Sequence, residues 1–295
     1  MTKSNGVWRF SLHAGLLLLC LLSMLPLWLL ISASLTEKSA LLAHGFTFVP
    51  SKASLDAYRY IWNQSEAVMR GYGISIFVTV TGTVAGIAIS ALLAYPLSRN
   101  GLPFKNFWMF AIFFTLLFNG GLVPTYLVYT QIFDIKNTLW ALLIPGLLTN
   151  GFIILLLRTF FTTSIPVPIL ESAYVDGAGE FKIFYKMVLP LSLPILATTG
   201  LTQMIGYWND WFNGLIYVTD NKLFSLQNLL NRILMDMQYL KNNSTMGEAS
   251  RLAADTPSES IQMAMAVIGT LPLIMAYPFF QRFFVKGLTV GAVKG

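Results

Sequence analysis

Six stretches of this chain, at about 14–35, 73–98, 107–132, 138–157, 189–209 and 261–281, contain no Asp, Glu, Lys or Arg. Each is long enough to reach across a hydrocarbon layer, for which a helix needs roughly 20 predominantly apolar residues. The 19 basic and 13 acidic residues all lie between or outside these windows. No water reaches the backbone inside a bilayer, so only elements that satisfy their own N–H and C=O groups can cross it. A barrel strand would read as roughly ten residues of alternating polarity, whereas these windows are apolar along their length. The pattern predicts an all-α polytopic membrane protein with six transmembrane helices. Composition agrees: 11% of residues are charged, against about a quarter in a soluble domain.

Lys and Arg in short connecting segments mark the cytoplasmic side. Lys3 and Arg9 precede the first window, Arg99 and Lys105 follow the second, and Arg282, Lys286 and Lys294 follow the sixth. The 133–137 loop offers only Lys136, beside Asp134. Both termini are therefore expected in the cytoplasm, with 1–13 as a cytoplasmic N-terminus and 14–295 as one transmembrane domain. That orientation puts ten basic and three acidic residues inside, against nine and ten outside. The net charge of +6 then reports topology, and no nucleic-acid partner is implied. Ser32-Ala33-Ser34 resembles a signal-cleavage site, but the preceding run is long and five windows follow, so an uncleaved anchor is expected. The single Cys20 excludes an intrachain disulfide and reads as a packing residue.

Two windows carry breakers: "FNGGLVPTY" (118–126) in the third and "IPGLLTNG" (144–151) in the fourth. Backbone groups freed there must find partners in protein or in a wet cavity. Gly82, Gly86 and Ser90 form a small-residue face on the second window, fit either for a contact between subunits or for ordinary membrane-helix packing. An external loop of about 210–259 opens with "WNDWFNGLIYVTD". It continues through a stretch of helical periodicity (228–242) into the small, polar "STMGEASRLAADTPSES", expected to be mobile.

"ESAYVDGAGEFKIFYKMVLP" (171–190) sets a compact charged elbow among these apolar runs. Pro166 and Pro168 can open a helix whose first turn would hold Glu171. Ile169, Leu170 and Ala173 would share a face, and Asp176-Gly177 would end the helix through a positive φ at Gly177. An amphipathic helix would start near Glu180, with Phe181, Phe184, Tyr185 and Val188 on one side and Lys182 and Lys186 on the other. Geometry alone also allows a simple interfacial helix that anchors a loop. The spacing, however, resembles the Glu-Ala-Ala…Gly…Leu-Pro loop of permease subunits in binding-protein-dependent ABC importers. Glu171, Ala173, Asp176, Gly177, Ala178, Leu189 and Pro190 match it, and Ser172 stands where a second Ala is usual. "GLVPTYLV", "NTLWALLIPG", "YWNDWFN" and "FFVKGLTVGAVKG" resemble sugar-importer permeases of the maltose-transporter type, nearest the complex oligosaccharide and lipo-oligosaccharide subgroup.

This resemblance implies the type I ABC importer permease fold, with a coupling loop at about 160–188. Its coupling residues would be Glu171, Ser172, Ala173, Asp176, Gly177 and Ala178, with the two alanines allowing close approach of an ATPase. It implies a second homologous permease subunit, two ATPase subunits carrying ATP and Mg, an extracytoplasmic solute-binding protein, and a carbohydrate substrate. It also implies a sugar path lined by polar and aromatic residues, for which Asn119, Asn150, Gln203, Tyr207, Trp208 and Asn209 are the candidates. For any one of them the alternative is a hydrogen bond to a neighbouring helix. No phosphate-cradling Gly-x-x-x-x-Gly-Lys-Ser/Thr run occurs, so neither an enzymatic role nor a cofactor is expected on this chain. No His/Cys/carboxylate cluster has metal spacing. The alternatives are an ion-coupled secondary carrier, which usually keeps ionisable residues at membrane depth, and an ABC permease for a non-sugar solute.

Overall fold

The computed structural model of the chain describes residues 6–63, 65–242 and 258–292. In chain order its first helices are α1 (Gly6–Ser34), α2 (Lys38–His44), α3 (Asp56–Asn63), α4 (Ser65–Ser98), α5 (Lys105–Leu117), α6 (Leu122–Leu127) and α7 (Trp140–Leu143). They are followed by α8 (Gly151–Thr163), α9 (Val167–Val175), α10 (Glu180–Ile183), α11 (Leu189–Leu191), α12 (Leu193–Trp208), α13 (Phe212–Tyr217), α14 (Leu226–Asn242) and α15 (Ser258–Ala292). Wide π turns extend α6 over Val128–Ile132 and α10 over Phe184–Val188. Among the described residues the only β pairing is one bridge, Thr36 to Ala53. The polar stretch after α14 that was expected to be mobile falls largely at 243–257, outside the described residues.

Three helices, α1, α4 and α15, are long and apolar enough to cross a membrane unbroken. Three further spans exist if each of three bent pairs counts as one. α5 meets the α6 segment at 112°, α8 meets α9 at 77°, and the α10–α11 segment meets α12 at 79°. The windows at 107–132, 138–157 and 189–209 are therefore not continuous helices. α5 and α8 have 13 residues each, about 20 Å at 1.5 Å per residue. The breakers at 118–121 and 144–150 account for the rest, because Gly and Pro there withdraw residues from the helical hydrogen-bond ladder.

The chain divides into two compact units, Met1–Val68 with Leu230–Pro272, and Met69–Leu229 with Leu273–Gly295. In the first, Leu16, Leu17, Leu18, Leu19, Leu21 and Leu22 are all exposed, as is Cys20. So continuous an apolar surface suits lipid and not water. The Ser32-Ala33-Ser34 run is buried. Ser32 Oγ donates to the Thr47 carbonyl at 2.8 Å, and Ser34 Oγ donates to the Ile31 carbonyl at 2.7 Å.

In the second unit the small-residue face of α4 meets α12 of the same chain. A Cβ on Gly82 would come within 2.3 Å of the Tyr207 ring, and one on Gly86 within 1.8 Å of Gln203 Nε2. The stripe is thus used for intrachain packing, and a subunit contact is not needed to explain it. A Gly→Ala change inside a helix ordinarily stabilises by about 1 kcal/mol, but overpacking costs about 1–3 kcal/mol. Gly86→Ala is expected to lower the thermal unfolding midpoint of the purified protein, whereas Gly73→Ala, with nothing within 4 Å of the new Cβ, is expected to hold or raise it.

Candidate functional site

The elbow begins where α8 ends. Pro166 caps α9 and Pro168 occupies its second position, where a missing N–H and a fixed φ are harmless. α9 therefore starts at Val167, one turn earlier than Glu171 requires for a first-turn position. Glu171 lies in the second turn, beyond the strongest reach of the helix dipole, and no acidic residue occupies the first turn. At the other end Gly177 N–H donates to the Tyr174 carbonyl at 2.9 Å and Ala178 N–H to the Ala173 carbonyl at 2.9 Å. With Gly177 at φ +71, these two bonds form a Schellman cap. The cap fixes α9 as a rigid nine-residue knob.

Leu170 and Ala173 of α9 are buried with Ile183, Phe184 and Val188. They pack against Ala91, Ala94, Tyr95 and Leu97 of α4 and Ile153, Ile154, Leu157 and Phe161 of α8. Ala173 thus serves the internal core at 2% exposure, and Ala178 is partly buried against the same cluster. Neither presents a free face for an ATPase, as the sequence had suggested. The second helix also faces otherwise than expected: Phe181 and Tyr185 are 76% and 68% exposed, and Ile183 takes the inward place beside Phe184. Glu171, Ser172, Asp176 and Gly177 are exposed. Glu171 and Asp176 make no ion pair with any described residue, and Ser172 Oγ donates to the Ile169 carbonyl at 2.9 Å. The elbow therefore presents Glu171, Asp176, Val175, Phe181 and Tyr185 outward, a mixed charged and aromatic surface.

Sequence reasoning missed the polar cluster behind this surface. Tyr95 and Tyr174 each donate a hydroxyl hydrogen bond to Glu180, one to each carboxylate oxygen. Arg99 donates to the Tyr174 hydroxyl at 2.7 Å, and its Nε lies 4.0 Å from Glu180 Oε2. The guanidinium sits 5.7 Å from the Tyr95 ring centre and 5.6 Å from that of Tyr174. Burial by itself would raise the Glu180 pKa; the Tyr174 and Tyr95 hydrogen bonds and the Arg99 charge outweigh it and hold the carboxyl below its ordinary value. These residues line a cleft of about 800 Å³ between the end of α4 and the elbow. The signal was the "AYPLSRN" run closing the second window, read only for its charge.

The six path candidates separate into two groups. Asn119 and Asn150 line one cleft of about 840 Å³ with Trp108, Thr115 and Thr149. Asn119 Oδ1 accepts from Gly121 N–H at 2.9 Å, and Asn150 Oδ1 caps α8 by accepting from Phe152 N–H at 2.9 Å. The amide N–H donors of both remain without a described acceptor. Gln203 and Tyr207 are buried, donating to the Leu147 carbonyl at 3.0 Å and the Leu143 carbonyl at 2.8 Å. Trp208 is buried beside Tyr72, ring centres 6.2 Å apart, and Asn209 is exposed at the end of α12. Asn213, not singled out from the sequence, donates to the Pro145 carbonyl at 2.9 Å.

The family model described as "Binding-protein-dependent transport system inner membrane component" matches residues 86–290. The polygalacturonan/rhamnogalacturonan transport system permease protein YtcP of Bacillus subtilis is 36% identical over 292 residues, 99% of each chain. Protein LplC of the same organism is 35% identical, covering 93% of this chain and 90% of the relative. A crystal structure of a bacterial ABC transporter involved in import of the acidic polysaccharide alginate superposes with a TM-score of 0.78 at 25% identity. That match covers 96% of this chain and 99% of the other.

A Cβ on Gly177 would meet nothing within 4 Å, so only the backbone objects to a side chain there. Left-handed backbone costs a non-Gly residue about 1–2 kcal/mol, and Asn tolerates it best. Gly177→Val is expected to lower the unfolding midpoint of the purified protein and Gly177→Asn to leave it nearly unchanged; equal effects would refute the backbone account.

Proposed function

The chain belongs to the family of binding-protein-dependent transport system inner membrane components, and from that premise we propose how it works and on what. It has the type I ABC importer permease fold and is a membrane permease subunit of a carbohydrate importer. In our reading it forms half of the translocation path, beside a second homologous permease, and two ATPase subunits on separate chains supply the hydrolysis of ATP with Mg. An extracytoplasmic binding protein delivers the solute. The relatives named for polygalacturonan/rhamnogalacturonan and for alginate favour an oligo- or polysaccharide as cargo.

The observation that carries the coupling part is the elbow itself. α9 turns 77° away from α8 and is locked by its cap; it exposes Glu171, its C-cap exposes Asp176, and the following α10 segment exposes Phe181 and Tyr185. A short rigid helix that displays charge without an internal partner is suited to seat in a cleft on another protein and to move with it. Glu171, Ser172, Asp176 and Gly177 form the docking surface, and Ala173 and Ala178 hold it to the core. For the path, Asn119 and Asn150 are the favoured sugar contacts, since each offers free amide donors beside Trp108, and sugars are held by amides and aromatic faces. Gln203 and Tyr207 support that wall from behind.

In this reading both termini and the elbow face the cytoplasm, and the residues from about 210 to 259 face outward. Single cysteines in a Cys20→Ala background test it: Asp176→Cys is expected to react only with reagent admitted to the inside, and Lys222→Cys with reagent outside. The opposite pattern refutes the orientation. Proteoliposomes holding the chain with its permease and ATPase partners, supplied with the binding protein, are expected to take up an acidic oligogalacturonide only with ATP, and Gly177→Val to hydrolyse ATP with little uptake. Uptake by this chain in the absence of any ATPase would overturn the assignment.

A further inference from the structure

α9 is held to its unit by few apolar contacts, since only Leu170 and Ala173 of its nine residues are buried. Such contacts resist separation but oppose sliding weakly, being non-directional. The ring of Tyr95, Arg99, Tyr174 and Glu180 supplies direction. Its members come from separate segments: Tyr95 closes α4, Arg99 follows it, Tyr174 stands in the last turn of α9, and Glu180 opens α10. The donors run in sequence from Arg99 to the Tyr174 hydroxyl and from there to one Glu180 oxygen, while Tyr95 donates to the other. The Lys105 ammonium fixes the backbone of Arg99 by donating to its carbonyl at 2.9 Å. A planar guanidinium between two rings fits this place, and a lysine ammonium does not reproduce it.

We propose that this ring carries displacement of α9 to α4, making Tyr95, Arg99, Tyr174 and Glu180 positioning residues for energy coupling. The proposal rests on the reading of the chain as an importer permease. α4 in turn packs Gly82 and Gly86 on Tyr207 and Gln203, whose donors hold the carbonyls of Leu143, the last residue of α7, and of Leu147 beyond it. That segment leads directly to Asn150 and its cleft. The ring, the glycine contacts of α4 and the Gln203 and Tyr207 hydrogen bonds therefore lie along one route from the elbow to the wall of the path. A physical connection alone is not a demonstration of coupling, so the test measures coupling.

The complete transporter is reconstituted in proteoliposomes, and oligogalacturonide taken up per ATP hydrolysed is measured. Tyr174→Phe removes one oxygen from an exposed ring and leaves folding intact; Arg99→Lys keeps the charge and loses the fork. Each is expected to lower the uptake-to-hydrolysis ratio about tenfold, the effect of losing a hydrogen bond to a charged group. The double variant is expected to be no worse than either single one, because both break the same ring. Wild-type ratios in both single variants, or losses that multiply in the double variant, overturn the proposal. So does a parallel fall of uptake, hydrolysis and complex yield, which would mark the ring as structural only. Failure of the underlying permease reading shows elsewhere, as a wild-type chain that binds no ATPase subunit at all.

Discussion

Gln203, Tyr207 and Asn213 send side-chain donors to the carbonyl oxygens of Leu147, Leu143 and Pro145, and the arrangement of the second unit depends on those three bonds. α7 ends at Leu143 and the segment from there to α8 is not helical, so these carbonyls lack the partners a continuing helix would provide. In hydrocarbon no water replaces them, and a buried unsatisfied group costs about 1–3 kcal/mol. Irregular backbone at membrane depth is tolerable only with dedicated donors. Those donors need room, and Gly82 and Gly86 provide it by letting α12 approach α4 closer than any side chain would permit. Breakers, amides and glycines far apart in the chain are thus one solution to one constraint.

The elbow obeys the opposite solvent. Outside the bilayer a helix end can be satisfied by water, yet α9 closes its last carbonyls internally through the Gly177 and Ala178 amides. The result is a knob whose shape does not depend on solvent. Its charges divide by position. Glu180 is held by two tyrosine hydroxyls and stands near Arg99, whereas Glu171 and Asp176 remain outward and unpaired among the described residues. A carboxylate left unpaired on a rigid surface keeps its capacity to bind a cation on another protein.

Much of this was legible in the sequence because it depends on local pattern. Charge-free windows located the three unbroken spans but not the bounds of the bent pair at 151–175, and Asp176-Gly177 located the end of α9. The small-residue stripe on α4 signalled close packing without naming the partner helix. What escaped were features set by tertiary context. Phe181 and Tyr185 fit a helical apolar face as well as Ile183 does, and only the packing of Ile183 and Phe184 beneath α4 and α8 decides between them. An amide in a span reads equally as a sugar contact or as a backbone partner; Asn150 keeps free donors, and Gln203 spends one on Leu147. The ring at Glu180 joins residues 75 and 85 positions apart, beyond any periodicity.

The basic residues near the end of α4 have a double role that ties orientation to the elbow. Lys105 donates to the Arg99 carbonyl at 2.9 Å, and Arg158 Nε donates to the Leu97 carbonyl at 3.5 Å. Both bonds place positive charge at a helix C-terminus, where the dipole and the unpaired carbonyls favour it. The same three cations, Arg99, Lys105 and Arg158, form much of the bias that selects the cytoplasmic side in the proposed topology. Replacing them to invert the protein would therefore strip the carbonyls of α4 and the ring at Glu180 of their donors. Three of the ten basic residues assigned inside are thus also donors at the end of α4 or in the ring at Glu180.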